Sequence, residues 1–300
     1  MIDDAELQRL ALLLEESDDY RVLRRLKPRA RVAIAEGAAT RTALFVDVET
    51  TGLDPLTDEI IELAMVPFVY ALDGTILSVS KPFEGLREPS KPISPEITAL
   101  TGITPAMVAG QAIDPDEVAK FVAPVSLVIA HNAAFDRGFV ERLYPVFATK
   151  AWACSMGEVD WAAEGFEGTK LAYLAMANGF FYDRHRAAHD CLAAIEILAR
   201  MLPNSKVPAL SKLLDKARST TWRIWAEGAA FEFKDTLKSR GYRWNGEDNG
   251  KPRSWYIDVD ETKRAGELDY LRQEIYKRDV ELRVTRITAL DRYSNRVYSN

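Results

Sequence analysis

The segment from Ala43 to Leu53, ALFVDVETTGL, constrains this chain more than any other. Ala43, Leu44, Phe45 and Val46 form an apolar run that reads as a buried strand, and the run leads directly into two acids, Asp47 and Glu49. Side chains two residues apart on a strand point to the same face, so these carboxylates share one environment. Buried without partners they would cost several kcal/mol, so either one is protonated or a multivalent cation lies between them. Hard cations such as Mg²⁺ take oxygen ligands. The competing reading is a strand that runs out into solvent and ends in exposed acids, and this segment alone does not choose.

At 300 residues the chain has room for a core-bearing domain and a smaller companion. Hydrophobic residues at 47% and charged ones at 28% place it among ordinary soluble globular proteins. No apolar run approaches a membrane span, and an N-terminus carrying Asp3, Asp4 and Glu6 is unlike a secretory or transit peptide. The expected location is therefore cytoplasmic, with no membrane partner. The two cysteines, Cys154 and Cys191, lack any paired metal-ligand spacing and read as reduced core residues. A net charge of −6 argues against a nonspecific nucleic-acid binder, yet the charge is uneven. Residues 219–300 hold 16 Lys/Arg against 14 Asp/Glu, and the remainder holds 23 against 31. An enzyme that grips phosphate through bound cations needs carboxylates of its own, so the acidic part is compatible with a polyanionic substrate.

Residues 1–40 read as a helical extension. Leu7, Leu10, Leu13 and Leu14, then Val22, Leu23 and Leu26, recur at helical spacing with a break near Ser17, predicting two short helices. The basic run Arg21, Arg24, Arg25, Lys27, Arg29 and Arg31 reads as a solvated face or as a contact for nucleic-acid backbone. Residues 59–66 and 75–80 predict two more strands, joined by a turn at Asp73-Gly74, giving three consecutive antiparallel strands. Ser94-Pro95, Thr104-Pro105 and Asp114-Pro115 each place a cap residue before a proline suited to the first helical position. Leu127 to Ala130 is another buried strand, delivering the chain into HNAAFD (131–136), with Asp136 near the start of a helix. Residues 169–178 predict a helix closed by Gly179. A loop then leads to HRAAHD (185–190) and a strongly apolar helix on which Asp190 needs a partner.

Each piece alone is weak. A strand-borne DVETTGL (47–53), a strand-to-helix HNAAFD and a helix-borne HRAAHD in this order are another matter. Together they resemble the DEDD-type 3′ to 5′ exonucleases of the histidine subclass, which include the epsilon-like proofreading subunit of bacterial DNA polymerase III, RNase T and oligoribonuclease. The resemblance covers residues 41–202, and SPEITALTGIT (94–104) is similar to the segment between the first two motifs in that family.

The resemblance implies an α/β fold, an RNase H-like mixed five-stranded sheet flanked by helices, and a site for two Mg²⁺ or Mn²⁺ ions. Asp47 would bridge both ions, Glu49 and Asp190 would complete one, and Asp136 would hold the other. His185 would be the general base. His189 falls on a variable position and is given no role. Thr50, Thr51 and Leu53 match positions that bind the terminal nucleotide, with Gly52 allowing close backbone approach. Asn132 and Phe135 match motif positions and are candidate substrate contacts, although a phenylalanine there also serves as core. Trp152 and Trp161 read as core or lid residues. The expected activity is release of nucleoside 5′-monophosphates from single-stranded or frayed DNA 3′ ends, with RNA as the alternative substrate, in a polymerase or repair complex. From a different class, a nucleic-acid-binding or polymerase-associated adaptor with a vestigial nuclease is disfavoured, because binding alone has no chemical need for four acids and a histidine.

Residues 203–218 read as a linker, and residues 219–300 as a compact α+β module. Its expected order is helix (229–240), strand (242–245), turn (246–252), strand (254–259), helix (262–278) and strand (280–288). Tyr242, Trp244, Trp255 and Tyr256 interleave with Arg240, Arg243, Lys251 and Arg253, a pattern suited to stacking bases and neutralising phosphates. Alternation along a strand requires part of that aromatic set to fill the module's own core.

Overall fold

The computed structural model describes residues 3–33, 37, 39–246, 250–294 and 296. The first helix, α1 (Asp4–Glu15), starts behind Asp3, whose carboxylate accepts the Glu6 N–H at 2.8 Å. The second helix expected from Val22, Leu23 and Leu26 is absent. In its place, β1 (Arg24–Arg25) lies parallel to Phe180–Phe181, with the Arg24 N–H on the Gly179 carbonyl and the Leu26 N–H on that of Phe181. Tertiary pairing satisfies this backbone, and it overrides a local periodicity interrupted by the Asp18-Asp19 turn.

The main sheet begins with β2 (Thr40–Thr50) and β3 (Ile60–Ala71), paired antiparallel, and continues with β4 (Ile76–Val79) after a turn in which Gly74 has φ +91°. A further strand, β5 (Phe83–Leu86), pairs with the other end of β3. Ser94, Thr104 and Asp114 are the N-caps of α2 (Pro95–Thr101), α3 (Pro105–Val108) and α4 (Pro115–Val122). Gly102 ends α2 in the left-handed region, as a C-cap glycine does. Then come β6 (Leu127–Ala130), α5 (Ala133–Leu143), β7 (Trp152–Cys154), α6 (Leu171–Ala177), β8 (Phe180–Phe181) and α7 (Ala187–Ala199). Strand order is β4–β3–β2–β6–β7, with β6 and β7 parallel to β2. The expected five-stranded mixed sheet is this path, and β5 adds a sixth strand, whose Phe-Glu-Gly-Leu sequence carries no apolar run.

Strand alternation divides the core. Ala43 and Phe45 face the cluster that contains Leu174 of α6 and Ile195 of α7, whereas Leu44 and Val46 face Val118 of α4 and Val140 of α5. A strand covered on both faces has no polar side, which is why this one reads as an unbroken apolar run. Trp152 and Trp161 are both core residues, and both cysteines are free and buried.

The region expected to be a linker is largely helix. In α8 (Ala209–Arg218), Leu210, Leu213 and Leu214 pack into the same cluster as α7. The smaller unit follows with β9 (Thr221–Ala226), α9 (Lys234–Ser239), β10 (Arg243–Trp244), β11 (Trp255–Asp260), α10 (Glu261–Tyr270), a wider π-type continuation over Leu271–Tyr276, and β12 (Val284–Ile287). Its antiparallel sheet runs β10–β11–β9–β12 around Ile224, Leu237, Leu271 and Ile275. One of its two inner strands, β9, was not anticipated. Of the turn expected at 246–252, residues 247–249 lie outside the described residues. No helix among the described residues is long and apolar enough to cross a membrane.

Candidate active site

The end of β2 presents Asp47 and Glu49, and the first turn of α7 presents Asp190. One carboxylate oxygen from each of the three lies within 4.8 Å of the others. Asp136, in the first turn of α5, is buried, and its Oδ1 accepts the Val48 N–H at 3.2 Å, which fastens it to β2 between the two strand acids. Asn132, at the entry to α5, has φ +84°, a conformation asparagine tolerates better than most residues. That turn swings the helix start back toward β2.

Burial pushes all four acids toward the neutral form, and their mutual repulsion adds to it in Asp47, Glu49 and Asp136. Asp47 is driven well above the carboxylate range by burial, then by Asp136, Asp190 and Glu49. Glu49 is raised to about 8 by burial, Asp190 and Glu62, with Arg186 opposing. Asp136 also rises to about 8 through burial, although backbone N–H groups hold it down. Asp190 is raised by burial, against the hydrogen bonds from the Tyr182 hydroxyl at 2.8 Å and the His185 N–H at 2.9 Å. Converging oxygens from crowded, acid-rich surroundings fit a divalent cation, and the donor set is all carboxylate, as a hard ion prefers.

His185 stands at the loop-to-helix entry with φ +63°, close enough for its ring to draw the Asp190 pKa down. The structure therefore brings all five predicted residues to one end of the sheet. The predicted substrate residues divide. Leu53 is 84% exposed, a large apolar side chain held in water beside the acids. Thr50 and Thr51 use their hydroxyls inside the loop: Thr50 donates to the Gly52 carbonyl at 2.6 Å, and Thr51 donates to Asp58 and accepts the Glu59 N–H. A Cβ on Gly52 would meet Asp58 Oδ2 at 2.4 Å, so loop packing already requires this glycine. Asn132 is exposed, and Phe135 is half-buried against Phe139, with ring centroids 5.0 Å apart.

Three participants escaped the sequence reading. Glu62 is buried on β3 and accepts from Arg186 and from the Ala187 N–H, fixing the start of α7. Its signal was a lone acid inside the apolar run of residues 60–66. Tyr182, which holds Asp190, carried no such signal. His131 bridges the Ser155 hydroxyl and the Thr169 carbonyl, and burial lowers its pKa to about 4. It is a neutral tie between β6 and the loop before α6.

A helix-flanked mixed sheet with four acids, two at the end of β2 and one in the first turn of each of α5 and α7, is the RNase H-like exonuclease fold. The family model for the RNase T exonucleases matches residues 44–198, and the chain belongs to that family. DNA polymerase III PolC-type from Listeria welshimeri is 39% identical over 179 residues, and that from Caldanaerobacter subterraneus subsp. tengcongensis is 30% identical over 179. Each match takes in 57% of this chain and 12% of the relative, so the chain spans about an eighth of these relatives' length. A solved structure of exonuclease I shares the fold with a TM-score of 0.51 at 19% identity, over 84% of this chain and 63% of that one. The structure of E. coli exonuclease I in complex with a dA16 oligonucleotide gives 0.50 at 16% identity, over 73% and 63%.

Proposed function

We propose that the chain removes nucleoside 5′-monophosphates from DNA 3′ ends using two divalent cations and His185 as general base. The observation that carries this reading is the meeting of Asp47, Glu49 and Asp190 oxygens within 4.8 Å, with Asp136 anchored alongside. Asp47, Glu49 and Asp190 would hold one ion, and Asp47 with Asp136 would hold the other. When bound, such ions polarise phosphoryl oxygens and favour ionisation of water. His185 takes the proton of the attacking water, whose oxygen bonds to phosphorus as the bond to the 3′ oxygen breaks. Tyr182 and the His185 backbone N–H hold Asp190 in one orientation, and Glu62 holds the helix that carries it. Leu53 offers an apolar wedge for the terminal bases.

Supporting a single-stranded nucleic acid as the substrate is the small sheet. Tyr256 lies between the guanidinium groups of Arg223 and Arg243, at 4.5 and 4.9 Å from its ring centroid. These three and Lys251 line a cleft that reaches Ala134 in the first turn of α5. Tyr242 and Arg240, also predicted to contact nucleic acid, are instead engaged with Glu267. The grip is assigned to the Tyr256 ring and Lys251, with Arg223 and Arg243, which share Asp258 at 2.6 and 2.7 Å, on either side and the 55% exposed Trp244 at its edge. A polymerase setting is in keeping with the PolC-type relatives.

The test compares 3′-labelled single-stranded DNA, duplex DNA and RNA, each with Mg²⁺, Mn²⁺ or EDTA. Ion-dependent mononucleotide release is expected, with Asp47→Ala losing it while still binding DNA. Undiminished release by Asp47→Ala would overturn the site.

A further inference from the structure

A cleft of about 530 Å³ opens between the N-terminal strap at residues 25–29, the end of β4 and α7. Leu26, Val79, Leu192 and Ile195 give it an apolar floor. Four cations surround that floor: Arg25, Lys27, Arg29 and Lys81. Two acids share the lining, and each is already paired, Asp183 with Arg25 and Glu196 with Arg29, both at 2.8 Å. Two positive charges are left over on a chain whose net charge is −6.

We propose that this cleft binds a small anion with an apolar body, of the nucleoside monophosphate class. Its volume lies within the usual range for small-molecule sites, roughly 300–1,000 Å³. The base and sugar would cover Leu26, Val79 and Leu192, and the phosphate would meet Lys27 and Lys81. Tyr182 links the cleft to catalysis, since it lines the cavity and donates to Asp190 Oδ1. A ligand there bears on the orientation of Asp190, so occupancy slows hydrolysis without competing with DNA. That the ligand is the enzyme's own product rests on the exonuclease reading above; the chemistry of the cleft does not.

The experiment titrates dAMP into Asp47→Asn protein in EDTA by calorimetry, beside the same protein carrying Lys27→Glu and Lys81→Glu, and repeats it with inorganic phosphate. One saturable dAMP site is expected, weakened at least about tenfold by the two charge reversals. Inorganic phosphate, which cannot use the floor, is expected to bind at least about tenfold more weakly than dAMP. With Asp47 restored, the Lys27→Glu/Lys81→Glu protein should cleave DNA at the parent rate and lose noncompetitive inhibition by dAMP. The proposal is overturned if dAMP affinity survives both reversals, if phosphate binds as well as dAMP, or if an oligonucleotide displaces dAMP. Failure of the parent protein to cleave DNA would sink the exonuclease reading instead, leaving the EDTA titration to stand or fall separately.

Discussion

Glu62 sits directly opposite Glu49 across the β2–β3 pair, yet its carboxylate is committed to Arg186 and the Ala187 N–H. Two acids at one rung thus have different work: one joins the acidic cluster, and the other fastens α7 to the sheet. Removing the fastening leaves the N-terminus of α7 without its acceptor, and a buried cavity besides. Glu62→Ala is expected to lose about 2–3 kcal/mol in denaturant unfolding and to lower kcat, because Asp190 rides on that helix. Unchanged stability and turnover would show that Glu62 anchors nothing.

The acidic cluster gives the metal-free protein an unusual pH response. Glu49 and Asp136 have folded pKa values near 8, well above their unfolded values near 4, so between those limits the folded chain holds more protons than the unfolded one. Their contribution is fully present below about pH 4 and is lost as pH rises through 8. Thermal unfolding in EDTA should therefore show Glu49→Gln gaining roughly 2–4 kcal/mol over the parent at pH 8.5 and almost nothing at pH 4. Mg²⁺ or Mn²⁺ should stabilise the parent most at the alkaline end. A pH-independent difference between the two proteins would contradict this account of the site.

His185→Ala separates proton transfer from ion binding. A general base is worth about 10²–10⁴-fold in rate, whereas the carboxylates remain in place. Turnover should fall within that range while Mn²⁺ affinity, followed by calorimetry, stays near the parent's. A comparable loss of both would assign His185 to holding the ions.

Asp190 is held by Tyr182, and Tyr182→Phe deletes only a hydroxyl. Mn²⁺ affinity is expected to fall several-fold and kcat with it, while KM for DNA holds; a change confined to KM would remove Tyr182 from the site.

In the small sheet, Tyr256→Ala removes the ring between Arg223 and Arg243. Loss of one stacked base costs about 1–3 kcal/mol, so anisotropy with a single-stranded oligonucleotide should report affinity reduced about five- to hundredfold at undiminished cleavage of dinucleotides. Equal affinities would move the grip elsewhere.

What could be read in the sequence follows from how local its causes are. Proline behind Ser94, Thr104 or Asp114 starts a helix for reasons contained in a few residues, and all three begin there. The apolar run before Asp47 announces a strand buried on both faces. Residues 22–26 are extended because Gly179 and Phe181 lie beside them, which no window of the chain reveals. Likewise β9 is a strand because β11 and β12 pair with it on either side, and its mixture of Trp, Arg and Ile has no clear period. Among the site residues, the motif acids were legible because three linked motifs together resemble a family. Tyr182 and Glu62 were not, because their importance lies in what they touch.

Arg137, wholly buried in α5, points its guanidinium at the chain's own far end, donating to the carbonyls of Leu290 and Arg292. Arg292 in turn reaches Glu158 and the Lys216 carbonyl, while the Trp152 N–H meets the Ala289 carbonyl. The last stretch of polypeptide is thus a bolt driven through the seam between the two sheets. The acids and Tyr256 are held at one spacing, and under the proposed function the distance from Tyr256 to Asp47 becomes a ruler. Oligonucleotides too short to span it would be trimmed without being held.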